Sequence, residues 1–393
     1  MHISKVSNRA TIAEFHGIHV QLAEKNKSWI PHLKQDIEKV FNPKKNKLFT
    51  KGSAERWIVQ KDGTTVGRIA AFINPKTKNS FKQMTGGIGF FDCIEDQEAA
   101  NLLFNTAKDW LEKQGIEAMD GPINFGEKNQ YWGLLIENFE NENTYGMNYN
   151  PPYYRQLFEE YGFHIYYNQI CSFRDIYMPM QQVFLDKTER ISKDPSFKIV
   201  TAEGKSIDQL ADYFVKVYND AWSAHEGLKG MKKSAALKIF KALKPVMDRK
   251  VVIFVFKDDE PIAFFLNVPD LNHYFKRFNG NFHLINKLRF LMMQKFGRPE
   301  KLIGIIFGVV KSYQGKGIEG AMIKWSQELL FDTNYKDIVM TWVGDFNPRM
   351  LKVIENLGGV LYQKHATYRY LFDRSLPFER APIIGKKERK KSE

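Results

Sequence analysis

The stretch Ile305–Trp325, IIFGVVKSYQGKGIEGAMIKW, sets a β-branched apolar run against a glycine loop and then a segment of helical period. Leu302 to Val310 has the composition of a buried strand. Ile318, Met322, Trp325 and Leu329 recur at three- and four-residue spacing, as on one face of a helix. Between them lie Gly315, Gly317 and Gly320. Glycines let the backbone turn tightly and bring amide N–H groups to a ligand, and the positive end of the helix dipole draws an anion to the same place. Lys311 and Lys316 add mobile charge. The junction is therefore expected to hold a pyrophosphate. A dinucleotide fold would place its glycines directly after the first strand, with an acidic residue about 20 positions on. A nucleotide P-loop would continue Gly-Lys-Ser/Thr. Neither pattern is present.

Around this junction the chain repeats one plan. RWIVQKDGTTVGRIAAFI (56–73) and VVIFVFKDDEPIAFFLNV (251–268) each read as strand, turn, strand. YYRQLFEEYGFHIYY and LKVIENLGGVLYQK each read as a helix stopped by glycine and followed by a strand. Lys61 and Lys257 of the turns, and Gly162 and Gly358 of the helix stops, are each 196 residues apart. Each half is expected to run helical segment, hairpin, strand, helix, strand, helix, strand. The polar DKTERISKDPSFKIV joins them, which divides the chain into 1–190, 196–375 and a basic tail, 376–393.

The 393 residues, 43% of them apolar, suit a globular chain of two or three domains. No apolar run approaches the roughly 20 residues of a membrane helix, and MHISKVSNRATIAEF has no apolar signal core, so a cytoplasmic protein is expected. Cys93 and Cys171 alone make neither a disulfide scaffold nor a zinc cluster and are expected as buried thiols. The net charge of +13 calls for an anionic partner: nucleic acid, a membrane face or a polyphosphate-bearing cofactor. An aromatic content of 14% favours large apolar pockets.

Gln314-Gly315-Lys316-Gly317-Ile318 resembles the acyl-CoA loop of the GNAT superfamily of N-acyltransferases, whose pattern is Gln or Arg, two residues, Gly, one residue, then Gly or Ala. IVMTWV and the Asn347-led NPRMLKVIENLGGV follow the order of the same family. The resemblance covers Lys198 to Phe372 and, more loosely, the first half. It implies an α/β fold with a mixed sheet, as two tandem GNAT-like domains. The first is degenerate, because FDCIEDQEAAN replaces the glycine loop with acids; it is expected to serve as scaffold and substrate wall. It also implies acyl-CoA as co-substrate and no metal. CoA would be bound by Phe307, Gly308, Val309, Gln314, Gly315, Lys316, Gly317, Ile318 and Asn347.

Two positions depart from the family. Glu319 stands where Gly or Ala is usual, and it is expected to turn outward and cap the helix. Ile354, and Phe158 in the first half, stand where family members often carry a tyrosine that protonates the leaving thiolate. His225 and Glu226, at the turn that meets the acceptor, and Asp345 are the candidate bases that would take a proton from an incoming amine.

Two segments lack a counterpart in the other half. Gly121 to Tyr154 is rich in Asn, Tyr and Gly, with Asn124, Glu127, Tyr131 and Asn148 as candidate acceptor-binding residues. Between the second hairpin and the cofactor strand, Leu284, Ile285, Leu288, Leu291 and Met292 form an apolar stripe beside Lys287, Arg289 and Lys295. Such a helix lies on an anionic membrane, lids an apolar tunnel, or packs on the core.

These features imply an acyl-CoA-dependent N-acyltransferase acting on a primary amine, with a long acyl chain or a lipid-like acceptor, peripheral to the inner membrane face. The layout is similar to bacterial double-GNAT proteins and to bacterial ceramide-synthase-type N-acyltransferases. Two alternatives stay open. A Fem-type tRNA-dependent aminoacyl transferase would suit the charge, but it has no need of a CoA loop, so nucleic acid is not the expected partner. A non-catalytic acyl-CoA or lipid-binding protein would suit Ile354, Phe158 and Glu319.

Overall fold

Both expected hairpins form, and their turns show why. Asp62 and Gly63 (φ 51° and 77°), and Asp258 and Asp259 (φ 48° and 66°), put two consecutive residues at positive φ. That backbone twist matches the twist of the flanking strands. The computed structural model describes residues 1–180, 182–222, 230–297 and 299–384.

The first half contains strands β1 (His2–Lys5), β2 (Ser53–Lys61), β3 (Thr64–Ile73), β4 (Thr85–Cys93), β5 (Ala118–Gly121), β6 (Leu134–Glu137) and β7 (His164–Asp175). Its helices are α1 (Arg9–Ala23), α2 (Lys34–Val40), α3 (Gln97–Glu112) and α4 (Tyr154–Tyr161). The joining segment is partly helical, α5 (Gln182–Lys193), and stops before Pro195. The second half follows with β8 (Phe197–Thr201), α6 (Ile207–Trp222), α7 (Lys233–Leu243), β9 (Val252–Lys257) and β10 (Glu260–Pro269). After them come α8 (Asn272–Phe275), α9 (Leu284–Phe296), β11 (Lys301–Val309), α10 (Ile318–Leu330), β12 (Asp337–Gly344), α11 (Pro348–Asn356) and β13 (Val360–Leu371). The repeat is visible in its stops: Gly162 after α4 and Gly358 after α11 both take the left-handed conformation (φ 107° and 83°).

All the strands belong to one mixed sheet, in the order β1-β2-β3-β4-β5-β13-β7-β12-β11-β10-β9-β8, with β6 also on β13. The last strands of the two halves are exchanged. β7, from the first half, pairs with β12 of the second, and β13, from the second, pairs with β5 of the first. β7 and β13 lie against each other in the middle. The Asp120–Arg369 ion pair, bidentate at 2.6 and 2.9 Å and buried, ties β5 to β13.

Each half has its own apolar core. Ile69, Leu103, Phe104 and Phe158 centre the first, and Phe214, Phe240, Phe264, Ile318 and Met322 the second. Phe158 is locked among Phe91, Phe104 and Phe163. Cys93 and Cys171 are buried and free, as expected.

Candidate active site

The site begins where two strands part. β11 and β12 pair in parallel only over Lys301–Gly304 and Asp337–Met340. Beyond that β11 follows β10, and β12 bulges between Met340 and Val343 and follows β7. Thr341 closes the apex, its Oγ1 lying 3.1 Å from Gly304 O and 3.0 Å from Ile305 O. Val310 donates its amide to Ile262 O on β10. Successive strand residues point to opposite edges, so the amides of Val309 and Phe307 face the gap. The Val309 carbonyl does too, accepting from Gln314 Nε2 at 2.9 Å.

The gap widens into a cavity of about 580 Å³ between the sheet, α10 and α11. Phe265, Ile305, Ile306 and Phe307 form one wall; Met322, Ile323 and Leu330 of α10, and Met350 and Ile354 of α11, form the others. The α10 lining runs from Glu319 to Leu330, about 16 Å at the helical rise. That size and apolar character suit a ligand with a long hydrocarbon part. The corresponding gap in the first half is filled by its own chain. β4 and β5 also part after three pairs, but Ile123 donates to Ile88 O at 2.7 Å. A side chain at Gly89 would collide with the Ile123 carbonyl.

At the mouth, Gly315 and Gly317 are both left-handed (φ 70° and 98°). Gly317 is the N-cap of α10, and no side chain caps the helix. The first intrahelical bond runs from Ala321 N to Gly317 O, which leaves the amides of Ile318, Glu319 and Gly320 for an external acceptor, while Lys316 N donates to Tyr313 O. Glu319 departs from expectation: it is buried, lines the cavity and accepts a long bond, 3.4 Å, from Gly315 N. The side chain points back toward the loop ahead of the first turn rather than out to solvent. Lys316 lies over the Tyr313 ring, 5.4 Å from its centre. Asn347 caps α11, accepting from Met350 N at 3.3 Å, and also lines the cavity.

The other expected residues are scattered. Asp345 is held by Asn168 Nδ2 (2.9 Å) and Arg380 Nη2 (2.6 Å), beside the cavity residues Gly344 and Phe346. His225 and Glu226 lie outside the described residues. Asn124 lines a second cavity of about 200 Å³ with Asp120, Trp132 and Tyr167. Its side chain is buried, and Oδ1 has no partner among the described residues. Glu127 is exposed. Tyr131 packs against His32 and Phe90, and Asn148 donates to Gly133 O.

Sequence reasoning missed the residues that join the two cavities. Lys128, Trp342 and Phe346 line both. Ile384 donates to Phe346 O and Ala381 to Tyr166 O, which straps residues 381–384 across this junction. Tyr167, on the exchanged strand β7, stands there as well. Its hydroxyl accepts from Trp132 Nε1 at 2.8 Å, and burial pushes its pKa up to about 12. Only the aromatic richness of the sequence hinted at these groups.

A buried polar cluster in the first half was also missed. His19 Nε2 accepts from the His32 amide at 3.2 Å, so Nδ1 carries the proton and donates to Asp92 Oδ2 at 2.9 Å. Arg68 Nε holds the same oxygen at 2.6 Å. The adjoining cavity of about 20 Å³ has room for roughly one water, not a substrate. Among the described residues no group of three or more His, Cys, Asp or Glu could hold a metal, and no helix is long and apolar enough to cross a membrane.

No protein-family model matches the chain. It is 24% identical over 381 residues to the bacterial ceramide synthase of Caulobacter vibrioides (strain NA1000 / CB15N), covering 92% of this chain and 95% of that protein. It is also 24% identical over 323 residues to Protein YghO of Escherichia coli (strain K12), covering 80% and 81%. Among solved structures, a tandem GNAT protein from the clavulanic acid biosynthesis pathway superposes at a TM-score of 0.54 and 11% identity, over 96% of this chain and 100% of its own. The tandem GNAT fold is thereby shown.

Proposed function

We propose that this tandem GNAT chain is an acyl-CoA-dependent N-acyltransferase that joins a long acyl chain to the primary amine of a lipid-like acceptor, at the cytoplasmic face of an anionic membrane. The observation that carries this reading is the apolar 580 Å³ cavity in the β11–β12 gap, which leads to the uncapped, glycine-rich start of α10. The similarity to a ceramide synthase over most of both chains supports the lipid-like acceptor. The first half serves as scaffold and acceptor wall, its own gap being filled.

When bound, acyl-CoA supplies the thioester. The amides of Gly315, Gly317 and the first turn of α10 receive its pyrophosphate, and Phe307 or Val309 N–H, facing the gap, stabilises the oxyanion. A base takes a proton from the ammonium of the acceptor; His225, Glu226 and Asp345 are the candidates. The amine nitrogen forms the C–N bond and gives up a second proton, the C–S bond breaks, and a proton delivered to the thiolate frees CoA as the thiol. Tyr167 is the phenol placed at the junction of the two cavities for that last step, in place of Ile354. The Asn124 amide oxygen offers an acceptor for a donor group on the amine substrate.

Calorimetry with CoA, acetyl-CoA and palmitoyl-CoA, followed by mass analysis of products with long-chain amines, tests the reading. Affinity that rises with chain length, together with an amide product, is expected. Absence of binding to all three would overturn it. Tight binding with no product from any amine would favour a non-catalytic acyl-CoA-binding protein, the reading to which Ile354 in the cavity wall lends support.

A further inference from the structure

We infer that the outer face of α9, with the turn at Phe331, is a docking surface for an anionic lipid bilayer. Leu284, Ile285, Leu288, Leu291, Met292 and Phe296 are each between 54% and 73% exposed. They follow the three- and four-residue spacing of a single stripe, and that stripe faces solvent. The opposite side of the helix packs Phe290 and Met293 onto Tyr274, Phe275 and Phe278, and Asn286, buried on that side, donates to Asn281 O. The stripe therefore neither covers the core nor lines the cavity.

Charge identifies the occupant. From Leu271 to Pro299 the chain has no acidic residue, and Arg277, Lys287, Arg289 and Lys295 are exposed around the stripe. On α9 an apolar stripe flanked by cations, with acids only at the edge of the patch at Asp332, complements anionic headgroups over acyl chains more than it does the mixed surface of a second copy. A second apolar group lies at the same end of the sheet. Phe331 is 76% exposed after α10, with Tyr177 and Met178 beside it, the Tyr177 hydroxyl donating to Leu330 O at 2.9 Å. Gln294 and Gly297 at the end of α9 and Asp332 to Tyr335 line one intervening cleft.

The placement has a direction. α9 leads directly into β11, so it sits at the start of that strand, while the glycine loop follows its end, about 30 Å away at the strand rise. CoA would reach its loop from water while the opposite end rests on lipid. The inference relies on the proposed function only for its purpose, and its test uses no acyl-CoA.

The full-length protein is sedimented with vesicles of phosphatidylcholine alone, and of phosphatidylcholine with about a third phosphatidylglycerol. The mixed vesicles should capture it, with a loss of about tenfold in Leu288→Glu/Met292→Glu and about fivefold in Lys287→Glu. All three positions are exposed, so circular dichroism should be unchanged. No capture by anionic vesicles, or capture untouched by the double variant, overturns the inference. So does a dimer in light scattering that the double variant dissociates. Vesicle capture by a protein that binds no acyl-CoA would sink the proposed function and leave this surface standing.

Discussion

The Glu319 carboxylate and the Gly315 amide face each other across the mouth of the cavity, 3.4 Å apart. If CoA binds as proposed, its pyrophosphate would meet this side chain and must displace or tolerate it. Glu319→Gln removes the charge and should tighten CoA binding by about fivefold, the scale of one charge at a helix N-terminus. Gly317→Asp adds a second acid at a left-handed position and should abolish binding. Calorimetry reads both, and unchanged affinity in the two variants would place CoA elsewhere.

Tyr167→Phe removes the phenol at the junction of the cavities and leaves its ring contacts with Trp342 and Phe346. Turnover should fall about 100-fold, in the range of a lost general acid, with acyl-CoA affinity unchanged. Full turnover in this variant would assign the proton to water or another group.

Arg369 lies between the Phe81 and Tyr166 rings and binds Asp120 with two nitrogens. Arg369→Ala leaves a buried carboxylate without its partner and should cost about 3–5 kcal/mol in urea unfolding. The double variant Asp120→Ala/Arg369→Ala should cost less than the sum of the single ones.

Burial holds His16 and His365 neutral, down to about 4 from an ordinary 6.5, and lowers His19 and His32 as well. The unfolded chain takes up these protons below 6.5 while the folded chain does not, so stability is complete above 6.5 and lost as pH falls through about 4. Asp270, raised by burial to about 6, acts in the opposite sense, its contribution fading as pH rises through 6. Burial raises Asp120 and Asp337 in the same sense as Asp270, while Glu38 and Asp92 are lowered and act with the histidines, so four histidines and two carboxyls outweigh three. The thermal midpoint should therefore fall steadily on acidification from pH 7, and less steeply in His365→Gln.

Much of the architecture was legible because it is local. The glycine loop, the paired hairpins and the glycine helix stops are set by backbone preferences within a few residues. What escaped depends on distant neighbours. The exchange of β7 and β13 joins Gly121 to Tyr368, a pairing no periodicity records. His16 and His19 share the buried side of α1 with Phe15, Ile18 and Leu22, so nothing in their spacing marks a polar cluster. Glu319 turns inward onto the Gly315 amide, a contact that its place in the sequence does not mark. For α9 the stripe was plain, but which way it faced was decided by Phe290 and its partners.

The exchanged strands also fix when the molecule can become whole. β13 ends at Leu371, so β5 and β7 wait with open edges until more than 190 residues beyond β7 have been synthesised. A first half emerging from the ribosome would ordinarily fold while the second is still being made. Here it has a gap beside β5 that only the last strand fills, and β7 has its partners β12 and β13 yet to come. Exposed edges of that kind invite pairing with other chains. A nascent chain halted before Val360 presents two unfinished sheets, and its safe completion falls to the speed of synthesis and to whatever shields those edges meanwhile.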